Sequence, residues 1–284
     1  MRRRRRIRVP ASSANLGPGF DVLAAALAMH IDVEVVETGQ FGVVTDLSIA
    51  RDRRNLVVRG FAHLAPPDDF EFRITSDVPL SGGLGTSAAA YVAGLLAADS
   101  IFELDADVLA LATELEGHPD NVAAALLGGI VLCADGEATR FDPPAGLEAV
   151  LVVPHRQVRT AKARAALPAE VPMADAVFNV AHASLLVLGL AQGRLDLVAR
   201  GLADRLHQPR RAALYPESMA LVARATEFGA VGASISGAGP TVLVWSQYDA
   251  TAAVVERLRA ETDGWADVVR VPFEPQGADV RALT

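Results

Sequence analysis

The stretch PLSGGLGTSAAA, residues 79–90, sets three glycines, Gly82, Gly83 and Gly85, ahead of Thr86, Ser87 and an alanine-rich run. Glycine adopts positive φ at little cost and lets a backbone come close to a ligand. The residues from Thr86 to Phe102 are dense in Ala and Leu and predict a helix. A helix start presents unpaired N–H groups and a partial positive charge. A strand, a glycine turn and a helix start in succession therefore make a cradle for phosphate. A simple glycine turn with a threonine cap is the competing reading of the glycines alone.

The rest of the chain bounds what that cradle can be. Of 26 lysines and arginines only Lys162 is a lysine, and it sits between alanines in TAKAR. A Walker-type loop needs Gly-Lys-Ser/Thr to reach the outer phosphates, so that class is excluded. With 284 residues, 51% of them hydrophobic and 21% charged, the chain has material for a large core and reads as globular, in one large or two smaller domains. Its formal net charge of −8 argues against nucleic acid as a partner, because duplex binding relies on phosphate-neutralising cations. The run Arg2 to Arg6 reads as a solvated, frayed terminus and lacks the apolar region of a signal peptide. The longest nearly apolar stretch, residues 122–134, is too short to cross a bilayer, so no membrane partner is expected. Cys133 is the only cysteine; it reads as a small buried thiol, and a chain without an internal disulfide fits a reducing cytoplasm.

Strand and helix signals mix along the chain. IDVEVVE (31–37) and FEFRITS (70–76) alternate with period two, and GGIVLCA and LEAVLVVP read as buried strands. Helical stretches follow at 107–116, 160–166, 174–192, 195–206, 216–228 and 250–262, with further strands at TVLVW (241–245) and ADVVRVPF near the end. The DPPAG segment (142–146) is the strongest punctuation in the middle of the chain. These signals predict an α+β fold in two domains, 1–150 and 151–284, with the boundary near 143–153.

The pattern in residues 79–90 resembles the phosphate-binding motif of the GHMP kinase superfamily, and SISGAGPTV (234–242) resembles that superfamily's C-terminal glycine motif. Four more segments are similar to the homoserine kinase family: VPASSANLGPGFDVLAAAL (9–27), EGHPDNVAAALLGG (116–129), TAKARAALP (160–168) and DRLHQPRR (204–211). The resemblance covers most of the chain. It implies a GHMP kinase fold, with an N-terminal domain like ribosomal S5 domain 2 and a C-terminal ferredoxin-like α/β sandwich. It also implies ATP-dependent phosphorylation of the side-chain hydroxyl of L-homoserine to O-phospho-L-homoserine, a step toward threonine, in an enzyme that often forms a homodimer.

Residue by residue, the resemblance implies ATP binding by Pro79, Leu80, Ser81, Gly82, Gly83, Leu84, Gly85, Thr86, Ser87, Ala88 and Ala89, and by Gly237 and Gly239 from the second glycine motif. It places homoserine on Asn15, Asp21, His118, Asn121, Arg164 and Arg211. Local chemistry agrees with that substrate: a carboxylate such as Asp21 suits an ammonium, and arginine forks suit a carboxylate. The plainer readings are that Asp21 caps a following helix, that His118 and Asn121 form a turn and cap, and that the two arginines lie on the surface. Glu116 is the candidate Mg2+ carboxylate, with Thr86 or Ser87, since magnesium takes few protein oxygens beside phosphate and water. Only Gly117 separates Glu116 from His118, a short form of this loop. Two other positions depart from the family pattern: His182 stands where arginine is common and reads as a packed histidine, and Arg210 stands where tyrosine is common, beside Arg211. No residue presents itself as a secure base. Catalysis is expected from positioning, with Asn121, Asp21 and Glu116 at the reacting groups. The alternatives are a kinase of the same fold acting on threonine or a mevalonate-type alcohol, and a ligand-binding member without catalysis.

Overall fold

The computed structural model describes residues 3–79 and 82–283. In chain order the elements are β1 (Arg4–Ala14), β2 (Leu23–Glu37), β3 (Gly42–Val44), α1 (Leu56–Leu64), β4 (Phe70–Ser76), α2 (Thr86–Phe102), α3 (Val108–Glu116), α4 (Asp120–Leu127), β5 (Ile130–Ala134), β6 (Glu137–Phe141) and β7 (Leu147–Pro154). They continue with α5 (Thr160–Ala165), α6 (Met173–Gln192), α7 (Leu195–Gly201), α8 (Gln208–Arg211), α9 (Pro216–Arg224), β8 (Gly232–Ile235), β9 (Val242–Gln247), α10 (Thr251–Glu261), β10 (Ala266–Val271) and β11 (Asp279–Ala282). The fold is α+β.

The first sheet runs β11-β1-β2-β4-β3, with β5 paired to the start of β2 and β6 paired to β5. Alternation decides its faces. Ile7, Val9, Ile31, Val33 and Val35 enter the core beneath the helices, while Arg6, Arg8, Asp32 and Glu34 between them face outward. α2 has little amphipathic bias and is buried on nearly every side, as expected of a helix at the centre of a core. It crosses α1 closely: a Cβ at Gly94 would overlap the carbonyl oxygen of Val57. This packing fixes where the N-terminus of α2 points.

The second sheet runs β10-β7-β9-β8 and is antiparallel. With α9 between β7 and β8, and α10 between β9 and β10, it has the βαββαβ order of a ferredoxin-like layer. Val150 and Val152 of β7 pack under these helices, and Ala149 and Leu151 join the main core on the other face. The last strand, β11, returns to pair with β1 of the first sheet.

Four expectations change. Arg2 lies outside the described residues, but the arginines that follow are not frayed. Arg4, Arg5 and Arg6 are built into β1 and Arg3 leads into it: Arg3 pairs with Glu37 at 2.8 Å, Arg4 with Glu34 at 2.8 Å and Arg6 with Asp32 at 2.9 Å. Acidic residues of the neighbouring strand neutralise Arg3, Arg4 and Arg6, and Arg5 donates to Ser100 on the other side. No helix follows Asp21, because LAAALAM opens strand β2; pairing with β1 and β5 on both sides overrides the helical propensity of Ala and Leu. The helix expected over 195–206 stops at Gly201, and the Asp204 carboxylate instead accepts from the amides of Leu206, His207 and Gln208 to start α8. Lastly, α6 is a longer apolar element than residues 122–134. By length and composition it could cross a membrane, and only 22% of its most apolar 18-residue stretch is buried within the protein. Its polar residues are tied into the fold: Asp175 lies 3.7 Å from Arg205 and 3.6 Å from Arg210, and the Asn179 side chain donates to Pro18 O and to Asp204.

Candidate active site

A cavity of about 290 Å3 opens where the two sheets meet, lined by the loop after β1, the glycine loop, the starts of α2 and α4, Glu116, His118, residues 157–160, Arg164, Arg211 and residues 237–238. At one end, Gly85 caps α2 with φ +65° and Thr86 and Ser87 begin the helix. The first helical bond runs from Ala89 N–H to Gly85 O, so the amides of Thr86, Ser87 and Ala88 are the ones a helix of this register leaves open to an anion. Gly82, Gly83 and Leu84 line the same wall. Other residues expected here stand apart. Pro79 has no N–H and does not line the cavity. The side chains of Ala88 and Ala89 are buried in the core. Leu80 and Ser81 lie outside the described residues.

The second glycine motif braces the first. Ser236 Oγ donates to Gly83 O at 2.6 Å and Thr241 N–H to Gly82 O at 3.2 Å. The backbones approach so closely that a Cβ at Gly83, where φ is +89°, would overlap the carbonyl oxygen of Ser236. Gly237 lines the cavity but donates its amide to Ala14 O, and the Gly239 amide bonds Ser236 O. Ser236 and Thr241 thus hold the cradle in shape, while the Gly237 and Gly239 amides are taken up by the protein's own carbonyls.

Glu116, at the C-terminal end of α3, accepts a hydrogen bond from Ser87 Oγ, while Glu114 is exposed. Burial raises the Glu116 pKa, against the opposing pull of the Ser87 bond and of His118. Among the described residues no three His, Cys, Asp or Glu side chains form a ready-made metal cluster. One buried carboxylate beside two hydroxyls at a phosphate cradle is nevertheless the hard-oxygen set a phosphate-bound magnesium needs.

The same cavity gathers every side chain the resemblance assigned to substrate, Asn15, Asp21, His118, Asn121, Arg164 and Arg211, with His118 3.9 Å from Glu116 and Asn121 beside Gly85. Asn15 sits at φ +70°, donates to Gly237 O at 2.7 Å and accepts the Asp21 amide at 3.0 Å, which turns Asp21 into the cavity at φ +56°. The Asp21 carboxylate takes a two-pronged bond from Arg164, at 2.8 and 3.0 Å. Arg211 is no surface arginine: it is 1% exposed, burial lowers its pKa, and its Nε donates to Ala163 O of α5 at 3.0 Å. Arg210 faces away, toward Asp175 on α6. His118 and Asn121 flank the start of α4. The Asp120 carboxylate bonds His118 Nδ1 at 2.9 Å and raises its pKa. Asn121 Oδ1 accepts from Ser12 Oγ at 2.8 Å, which leaves its NH2 group to the cavity.

Several contributors carry no assignment from the sequence. Ser12 orients Asn121. The buried His207 ring contacts Gly17 O at 2.6 Å and Arg211 at 3.3 Å, bracing the substrate loop and the arginine together. Phe20 lies 5.3 Å from that ring, with Arg164 and Arg211 over its face. Ser12 and His207 both stand inside recognised segments, VPASSAN and DRLHQPRR, but nothing in those segments singles them out. A second cavity, of about 330 Å3, shares Thr86 and Ser87 with the first and is walled mainly by apolar residues, among them Leu47, Ile49, Leu56 and Ile74, with Asn55 at its rim. No motif marks it. His182 stacks on Phe178 with ring centres 3.7 Å apart and takes no part in the site.

Family models for the GHMP kinases N terminal domain and the GHMP kinases C terminal match residues 55–129 and 186–262. Curated relatives include a homoserine kinase of Gloeobacter violaceus, 44% identical over 87% of this chain and 89% of that protein. Another, from Streptomyces avermitilis, is 42% identical over 98% of this chain and 96% of its own length. A crystal structure of homoserine kinase from Cytophaga hutchinsonii superposes with a TM-score of 0.87 at 30% identity, covering 98% of this chain and 97% of that one. The mevalonate kinase of Methanococcus jannaschii, at 15% identity and a TM-score of 0.70 over 94% and 98%, shares the fold. The chain belongs to the homoserine kinase family of the GHMP kinases.

Proposed function

We propose that this chain transfers the terminal phosphoryl group of ATP to the side-chain hydroxyl of L-homoserine, giving O-phospho-L-homoserine on the way to threonine. The observation that carries the reading is a single cavity with an anion cradle at one end and Asp21, Arg164 and Arg211 at the other. The cradle takes the phosphates through the amides of residues 82–88 and the N-terminus of α2. The apolar second cavity, reached past Thr86 and Ser87, suits the adenine ring. Asp21 takes the homoserine ammonium, and the two arginines take its carboxylate.

Glu116, with Ser87 or Thr86, is the group that would hold magnesium, whose charge would offset that of the outer phosphates. Asn121, fixed by Ser12, aims its amide at the acceptor hydroxyl. A loose phosphoryl-transfer transition state needs little nucleophile activation, so alignment and charge stabilisation supply the rate without a dedicated base. Mevalonate carries no ammonium to take the place of Arg164 on Asp21.

The enzyme is a cytoplasmic protein in this reading, consistent with Cys133, a free buried thiol whose pKa burial pushes up to about 11. A homodimer formed through α6 belongs to the same proposal. Met173 and Val180 are 78% and 69% exposed, and the one charged residue of the helix, Asp175, is already neutralised by Arg205 and Arg210. A groove beside the C-terminal half, walled by Val22, Leu132 and Leu188, could receive the protruding N-terminal half of a two-fold-related copy.

Phosphorus NMR of the chain incubated with ATP, Mg2+ and L-homoserine tests the reaction. A phosphomonoester signal matching O-phospho-L-homoserine, formed in step with ADP, is expected. Homoserine left unmodified would overturn the proposal.

A further inference from the structure

The two groups that the substrate reading assigns to opposite charges of homoserine are bonded to each other. Arg164 NH1 and NH2 grip Asp21 Oδ2 and Oδ1 at 3.0 and 2.8 Å, both within the cavity wall. The pair spans two elements. Asp21 is held from the loop after β1 by Asn15, and Arg164 sits on α5, whose backbone is tethered at Ala163 O by the buried Arg211. Residues 157–160, which lead into α5, line the same cavity, so the pair draws that wall against the substrate loop.

We propose that the Asp21–Arg164 pair is an ion-exchange gate that admits zwitterions and resists ligands of a single charge. The inference rests on the homoserine reading and adds the reason an α-amino acid is chosen. A bound ammonium must displace Arg164 from Asp21. Arg164 and Arg211 already share the face of Phe20, 5.8 and 5.4 Å from its centre, so once the ammonium takes Asp21 only a carboxylate between the two arginines relieves their repulsion. A ligand with an ammonium alone leaves Arg164 unpaired, and one with a carboxylate alone leaves Asp21 unpaired. An α-amino acid restores both pairs in one step, because its two charged groups are carried on one carbon. Specificity then comes from the penalty on partial ligands as much as from attraction to the right one.

The sign of a substitution separates this gate from two independent charge sites. The probes are 3-aminopropan-1-ol, which is homoserine without its carboxylate, and 4-hydroxybutyrate, which is homoserine without its ammonium. Dissociation constants are measured by calorimetry on the full chain, with circular dichroism to verify folding. Arg164→Gln frees Asp21 and is expected to tighten 3-aminopropan-1-ol by roughly two- to fivefold, the worth of a partly exposed ion pair removed from competition. Asp21→Asn is expected to tighten 4-hydroxybutyrate to a similar extent. Both variants weaken homoserine. Two folded variants that bind their probe no more tightly than the native chain does would overturn the gate, and if one variant fails to fold the other decides. Failure of the native chain to phosphorylate homoserine is a separate result that removes the substrate reading, whereas active native enzyme with unimproved probes removes the gate alone.

Discussion

Gly83, at the cradle, faces a backbone carbonyl where any side chain would have to go. Its φ of +89° and its approach to Ser236 O leave no space for a methyl group. Gly83→Ala is expected to cost about 1–3 kcal/mol in strain and to raise the KM for ATP more than that for homoserine, a split that steady-state kinetics in each substrate reads directly. Glu116→Gln keeps the Ser87 contact in shape but removes the charge, and a fall in kcat on the order of a hundredfold, with a higher Mg2+ requirement in a metal titration, is expected. An unchanged Mg2+ dependence would show that Glu116 is no metal ligand. These positions were legible because each lies in a short segment with a recognisable spacing. Partners that act through another side chain were not. Nothing local marks Ser12 as the residue that orients Asn121, or His207 as a brace between Gly17 and Arg211, because the bond in each case joins segments over a hundred residues apart.

Strand β1 shows how an element can be misread when its partner is remote. Its arginines look like a solvated tail until β2 is placed beside them, with Glu37, Glu34 and Asp32 at matching positions. Glu37 carries the clearest consequence: the Arg3 side-chain bond lowers its carboxyl from 4.5 to about 2. A carboxyl depressed in the folded state contributes stability above its unfolded value and loses it as pH falls toward the folded one. Glu37→Gln is therefore expected to lower the urea midpoint at pH 7, and the gap from the native chain is expected to close as pH drops from about 4.5 toward 2. A gap independent of pH would assign the effect to packing. The same remoteness explains the start of β2: Ala24 to Ala26 favour a helix on propensity, and β1 and β5 on either side overrule it. Elements whose pattern was internal, such as β4 at Phe70–Ser76 and α2 at Thr86–Phe102, were readable from the sequence within a residue or so.

The whole molecule sets two sheets around one cavity and leaves α6 with an apolar outer face. A helix that is apolar all round is normally covered, and a second copy is the proposed cover. Light scattering is expected to give twice the chain mass for the native protein and the single-chain mass for Val180→Glu; a native monomer would contradict the dimer. The second cavity, with no motif of its own, emerges only at this scale, because β2, β4, α1 and the start of α2 each supply part of its wall. The central claim is that one cavity reads a small zwitterionic alcohol and presents it to ATP. Initial rates of ADP release, measured at matched concentrations of L-homoserine, L-threonine and mevalonate, test it most directly. Turnover with homoserine at a kcat/KM at least tenfold above the other two is the expected result; a preference for mevalonate, or no turnover with homoserine, would contradict it.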